Sequence, residues 1–350
     1  MMPLSVAAAQ EHFARVPGYL DTATVGLPPR VTVTALHATV DDWAAVGGRP
    51  RAIDEVVAAA RASFAALVGV APAAVAVGAN VSSFVGLVAA SLPPGAEVVA
   101  AEGDFTSLLF PFLAQAERGV VVRLVPLERV AEAVGARTAL VAVSAVQSAD
   151  GRLADLAAIT RAAQAVGART LVDATQAAGW LPLSADRFDY LVAGGYKWLL
   201  SPRGTAFLAV RPDALPGIVP HAAGWYAGEH PWESIYGAPL RLAHDARRLD
   251  LSPAWLCWAG AAPSLALLEE VGVEAIQRHD VALADRFRAG LGLAPTGSAI
   301  VSLDLADAGE RLAAAGVAVS ARAGRTRLSF HLTTTDDDVD LALGALGIRP

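Results

Sequence analysis

"AGGYKWLLSPRG", residues 193–204, contains the single lysine of this 350-residue chain, Lys197. The sequence has 27 Lys+Arg, so removing that lysine leaves 26 arginines. Arginine carries the same charge but stays protonated, whereas a lysine amine can lose its proton and attack a carbonyl. A lone lysine is therefore a candidate for amine chemistry, and the alternative is a surface lysine of no consequence. The flanks decide between them. Leu191-Val192-Ala193 closes an apolar strand before the lysine, and Trp198-Leu199-Leu200 follows it. Burial of this kind lowers a lysine's pKa and exposes the free amine. A lysine just past a strand also sits at the sheet edge where open α/β sheets bind ligands.

Three further stretches lie upstream. "LVDATQAAG" (171–179) places Asp173 at the carboxyl end of an apolar strand, 24 residues before the lysine (197 − 173). A carboxylate there is costly unless it meets a cation or hydrogen-bond donors, or caps a helix. "VGANVSSF" (77–84) runs from a strand through Asn80, the only asparagine, into a helix. A helix start attracts phosphate, although Asn80 can equally be a plain N-cap. "AEGDFTS" (101–107) presents Phe105 after a strand, as a stacking ring or as an ordinary core residue. Together these supply a phosphate cradle, a ring, a carboxylate and a buried amine on successive strand ends. Pyridoxal phosphate needs those parts: a lysine to hold it and an acid to keep its pyridine nitrogen protonated.

The chain-wide pattern agrees. Short apolar runs at 75–78, 97–101, 120–125, 138–143, 169–173, 189–193 and 205–210 read as strands. Helices are expected at 31–46, 51–68, 82–91, 106–117, 128–134, 153–166 and 175–179. Apolar strands alternating with helices predict an α/β fold with a mainly parallel central sheet covered by helices. Residues 1–30 are expected to form an N-terminal segment joining the small domain, 31–250 the large domain, and 251–350 a smaller α+β domain. The last of these should hold one long helix at 255–290, a strand at 299–303, a helix at 307–315 and a pairing at 317–331. Residues 218–245, rich in Gly, Pro and aromatics, read as a long loop that lines a pocket.

Composition removes other classes. The net charge of −7 and the lack of a basic run argue against nucleic-acid binding. Apolar residues reach 54%, but the most apolar stretch, 74–92, carries Asn80 and three serines between prolines, so no membrane association is expected. No basic-then-apolar leader stands out at the N-terminus, which points to the cytoplasm. One cysteine, Cys257, excludes an internal disulfide and a multi-cysteine metal site, and no metal is expected.

The residues resemble the class-V aminotransferase family of fold-type-I pyridoxal-phosphate enzymes. These include cysteine desulfurases, kynureninases, isopenicillin N epimerase-like proteins and the C–S lyase of ergothioneine synthesis. "YLDTATVGLPP" (19–29), "VDATQAAGWLPLS" (172–184), "GGYKWLLSPRGTAFL" (194–208) and "TRLSFHLTTTDDDVDLAL" (326–343) carry the likeness. It implies a Schiff-base role for Lys197, a pyridine-nitrogen contact for Asp173 and a hydrogen bond from Gln176 to the cofactor's phenolic oxygen. Phe105 would stack on the ring, and Gln147 would lie over the cofactor. Ala79, Asn80 and Tyr196 would bind phosphate, with Ser252 reaching the phosphate of a neighbouring subunit. Arg327 would clamp the substrate's α-carboxylate in bidentate fashion, with Arg325 as competitor. His221 and Tyr226 in the 218–245 loop are candidates for substrate contact, beside Trp225, His230, Trp232 and Tyr236. The family works as a homodimer, so a homodimer is expected.

The likeness has departures. Cys257 falls in an apolar helical stretch instead of on a loop, which disfavours a persulfide-forming desulfurase. Tyr196 stands where desulfurases have His, and "GAN" where many members have Thr or Ser. The expected reaction is Cβ cleavage of an amino acid, of C–S type, ahead of transamination and then epimerisation. Rival readings are a non-catalytic pyridoxal-binding protein and a Schiff-base aldolase without cofactor.

Overall fold

The computed structural model describes residues 3–48 and 50–348, so the outermost residues of the first and last expected segments, 1–2 and 349–350, lie outside it. Seven strands form the main sheet: β1 (Val75–Gly78), β2 (Glu97–Ala101), β3 (Val121–Val125), β4 (Thr138–Ser144), β5 (Arg169–Asp173), β6 (Tyr190–Gly194) and β7 (Ala206–Val210). Their order is β1-β7-β6-β5-β4-β2-β3. The β2–β6 ladder is parallel, while β7 runs antiparallel to both β6 and β1. Strands β1, β4, β6 and β7 are buried on both faces, as continuous apolar runs require.

Helices cover the sheet. The first three are α1 (Val6–Gln10), α2 (Arg30–Val46) and α3 (Pro50–Leu67). Four more fall between strands: α4 (Val81–Ser91), α5 (Thr106–Leu113), α6 (Val130–Ala133) and α7 (Leu156–Val166). After the sheet come α8 (Trp255–Val271), α9 (Val273–Gly290), α10 (Ala308–Ala314) and α11 (Asp336–Ala345). A second sheet, β8 (Ile300–Leu303), β9 (Ser320–Arg322) and β10 (Arg325–Ser329), is antiparallel in the order β8-β10-β9. The N-terminal segment extends it, since Leu20 donates to Ala318 O at 3.1 Å and Ser329 donates to Leu20 O at 2.8 Å. One core links the parts. Phe64 of α3 stacks on Phe207 of β7 at 4.2 Å, and Trp258 of α8 meets the same ring edge-on at 5.3 Å.

Several expected elements are corrected. The helix at 255–290 is two helices bent by 83° at Gly272, whose φ of +83° suits glycine and breaks the hydrogen-bond ladder. The helix at 106–117 stops at Leu113, and a 3₁₀ turn at Ala116–Arg118 runs into left-handed Gly119. Residues 128–134 hold a 3₁₀ turn and one helical turn. Residues 175–179 are turns, because the Asp173 carboxylate takes the Thr175 amide at 2.8 Å and bends the chain locally. Helix α11 was not foreseen, although Thr335 and Asp338 close a capping box at its start.

Candidate active site

The carboxyl ends of β1, β2, β4, β5 and β6 lead to one cavity of about 440 Å³. Its lining brings together Ala79, Asn80, Phe105, Asp173, Gln176, Tyr196 and Lys197. Lys197 is 6% exposed. Its Nζ lies 5.4 Å from the centre of the Phe105 ring and 5.6 Å from that of Tyr196. Burial pushes the amine down to about 8. The Asp173 carboxylate opposes the fall, while Arg327, Arg322 and Arg203 add like-charge repulsion. Asp173 is itself pushed up, chiefly by burial.

Hydrogen bonds set the other groups. The Trp198 indole N–H donates to Gln176 Oε1 at 2.8 Å, and Gln176 Nε2 donates to Ala23 O at 3.0 Å and Ser148 Oγ at 3.1 Å. Asn80 is the N-cap of α4. Its Oδ1 accepts from the Ser83 amide and from the Ser82 and Ser83 hydroxyls, each at 2.9 Å. Phe105 is held by the buried carboxylate of Asp104, whose Oδ1 takes the Phe105 amide at 2.7 Å and whose Oδ2 takes the Ser144 amide at 2.8 Å.

Other expected residues lie outside the cavity lining. Gln147 is buried and donates weakly to Asp104 at 3.3 Å. Ser252 and His221 are exposed. Tyr226 turns to Asp54 of α3 at 3.1 Å, and Trp232 donates to the same carboxylate at 2.6 Å. Trp225 packs against both at 5.2 and 5.1 Å, so this part of the 218–245 loop folds onto α3. His230 is exposed and Tyr236 is 87% exposed. Arg327 is 1% exposed. It reaches Ser148 O at 2.6 Å and Thr24 Oγ1 at 2.8 Å, and its Nε has no partner among the described residues. Burial, and then Arg322, push its guanidinium down to about 10. Arg325 is exposed, 3.8 Å from Asp304.

Residues that sequence reasoning passed over also belong here. Ser82, Ser144, Ser148, Thr175, Arg203 and Thr205 line the cavity. The Arg203 guanidinium lies 4.7 Å over the Tyr196 ring. It stands within the stretch that holds the lysine, six residues on, and only the fold turns it back to the cavity.

These groups fit a planar pyridine aldehyde bearing a phosphate. A buried amine, a ring beside it, a buried carboxylate and the N-terminus of an 11-residue helix face one space.

A family model described as aminotransferase class-V matches residues 18–341. The Uncharacterized aminotransferase YcbU of Bacillus subtilis (strain 168) is 36% identical over 111 residues, 31% of this chain and 28% of that protein. The chain thus aligns with little more than a quarter of that relative's length. Among solved structures, the cysteine desulfurase CsdA from Escherichia coli superposes with a TM-score of 0.85 at 20% identity, covering 98% of each chain. The cystine C-S lyase C-DES, in complex with cysteine persulfide, gives 0.83 at 22% identity over 95% of this chain and 98% of that one. At these identities the likeness is one of fold.

Proposed function

The chain belongs to the class-V aminotransferase family, and from that premise we propose that it is a pyridoxal-phosphate enzyme acting on an α-amino acid, cleaving a Cβ–S bond. The observation that carries the reading is the lone Lys197, buried at the cavity with its amine pushed down to about 8 beside buried Asp173. An amine in that state is largely a free base in mildly alkaline solution and can condense with an aldehyde.

The residues then have separate tasks. Lys197 would hold the cofactor through its aldehyde, and its Nζ, when free, would take the proton from the substrate's Cα. Asp173 would hold the cofactor's ring nitrogen in its protonated form, and burial would strengthen that pairing. Phe105 covers one face and excludes water. Gln176 would offer the cofactor the N–H that now meets Ser148 Oγ, since its oxygen is taken by Trp198. The N-terminus of α4, with Asn80 and Tyr196, offers donors to a phosphate. Arg327 takes the α-carboxylate. Bound there, pyridoxal phosphate supplies an electron sink for the carbanion at Cα. Loss of the Cα proton and of the sulfur leaving group, which departs with the C–S electron pair, gives pyruvate and ammonia after hydrolysis.

A homodimer belongs to this reading, with Ser252 facing the neighbour's phosphate. The exposed apolar face of Trp43 (61% exposed) and Val46 (58%) on α2 supports a second copy as its cover.

The test is the visible spectrum of the purified protein with pyridoxal phosphate, before and after borohydride. A band that bleaches, and that Lys197→Ala lacks, supports the cofactor. A protein that stays colourless overturns it and favours a cofactor-free Schiff-base aldolase. A band that no amino acid perturbs favours a non-catalytic binder. Pyruvate and ammonia from cysteine conjugates, without added keto acid, support the lyase. Stoichiometric amino exchange replaces it with a transaminase, and inversion at Cα without either product with an epimerase.

A further inference from the structure

Outside the cavity, the most deeply buried ionisable pair is Asp280 of α9 with His331, which follows β10; both are 0% exposed. His331 Nδ1 lies 2.7 Å from Asp280 Oδ2, and Nε2 lies 3.0 Å from the carbonyl oxygen of Trp198. A carbonyl only accepts, so Nε2 carries a proton. The other proton of the pair is shared between Nδ1 and the carboxylate. Asp280 Oδ1 has no partner among the described residues, so the imidazole is the carboxylate's one hydrogen-bond partner there. Burial pushes Asp280 up and His331 opposes it, with His279 on the same helix adding to that effect. The His279 ring lies 3.1 Å from Thr334 O.

Trp198 is the residue directly after Lys197, and it is gripped at both ends. Its carbonyl meets His331, and its ring stands edge-on to the imidazole at 5.2 Å. Its indole N–H, which can only donate, meets Gln176 Oε1. That fixes the Gln176 amide with its nitrogen toward Ser148, a cavity residue that also binds Arg327.

We propose that His331, held by Asp280, is a positioning residue of the active site: through Trp198 it sets the backbone that carries Lys197 and holds Gln176 as a donor. This rests on the proposed function for what Lys197 and Gln176 do, but the pair's own effect is measurable without cofactor. The strand β10 carries Arg327, and His331 follows four residues later. One element of the small sheet thus aligns both the carboxylate clamp and the lysine.

The test uses Asp280→Asn, which keeps shape and a hydrogen bond, alongside His331→Gln and Trp198→Phe. In the apoprotein, reductive ¹³C-methylation labels the one ε-amine, whose chemical shift titrates as a single curve. The expected result is a midpoint moved by about half a pH unit or more in Asp280→Asn and His331→Gln. In the loaded protein, kcat per bound cofactor should fall about tenfold with KM changed less than about twofold. The pH midpoint of the visible band should shift, and Trp198→Phe combined with His331→Gln should add little to the larger single effect. Variants that melt earlier but keep the wild-type amine titration, band midpoint and kcat would assign the pair to stability alone and overturn the proposal. A wild-type protein that takes up no cofactor would sink the proposed function and leave the amine titration to decide the positioning role.

Discussion

The carbonyl oxygen of Lys197 faces Gly26 so closely that a Cβ built on Gly26 would lie 2.0 Å from it. The same glycine donates its amide to the carbonyl of Tyr196 at 2.9 Å. The N-terminal segment therefore forms a wall behind the lysine, and a side chain there must push that wall or the lysine away. Gly26→Ala is expected to cost on the order of 1–3 kcal/mol in stability. It should also weaken retention of the visible cofactor band far more than an Ala placed at exposed Gly344, where nothing lies within 4 Å of the added Cβ. Equal retention in the two variants would show that the close contact relaxes without moving the lysine.

The depressed amine makes a pH prediction with a definite sign. Lys197 falls from 10.5 to about 8 in the folded protein. Between those values the unfolded chain binds more protons than the folded one, so apoprotein stability rises with pH across that window. Below about 8 the buried charge costs its full amount, on the order of 3 kcal/mol. Lys197→Met should remove that rise, as read from melting curves at pH 7.5 and 10. The rate of condensation with an aldehyde should climb through pH 8 in the wild type. Arg203→Ala, which removes one of the three repelling guanidiniums, should move the midpoint upward.

Arg327 and Arg325 separate cleanly. Arg327 is buried and anchored by Ser148 and Thr24, whereas Arg325 sits at the surface near Asp304. A lysine cannot reproduce a two-pronged grip on a carboxylate. Arg327→Lys is expected to raise KM for an α-amino acid by about 10–100-fold, and Arg325→Lys to leave it within about twofold. The reverse ranking in steady-state kinetics would move the clamp to Arg325.

Most strands of the main sheet were legible because they are short apolar runs closed by a polar or glycine-bearing turn, as at 75–78 and 169–173. Lys197 and Asp173 were legible for the same reason, as ionisable residues at the ends of runs that bury everything else. The break between α8 and α9 was not, since the alanine-rich pattern continues through Gly272 and one glycine costs a helix only about 1 kcal/mol. Helix α11 went unread because it opens on three consecutive aspartates, although acidic residues complement a helix N-terminus. The loop aromatics were visible as a cluster, but composition does not say which surface they meet. Asp54, on a helix 172 residues before Tyr226, decided that. The pairing of Asp280 with His331, and of Gln176 with Trp198, depends on contacts 51 and 22 residues apart that no local spacing encodes.

Cys257 provides the sharpest division within the family's chemistry. It lies in the first turn of α8, half-buried, with Sγ only 2.9 Å from where a Cβ on Gly204 would stand. Burial pushes its thiol up, away from the thiolate that sulfur capture needs. Gly204 lines the cavity, so the sulfur stands behind the wall and not in the open space. A lyase releases its sulfur product directly and has no use for that thiol. Cys257→Ala is therefore expected to keep kcat for sulfur release within about twofold of wild type and the visible band unchanged. The fall in stability should be small, since a half-buried sulfur leaves only a small cavity. Loss of sulfur release with an intact band would instead make Cys257 a sulfur carrier and turn the reading back to a desulfurase.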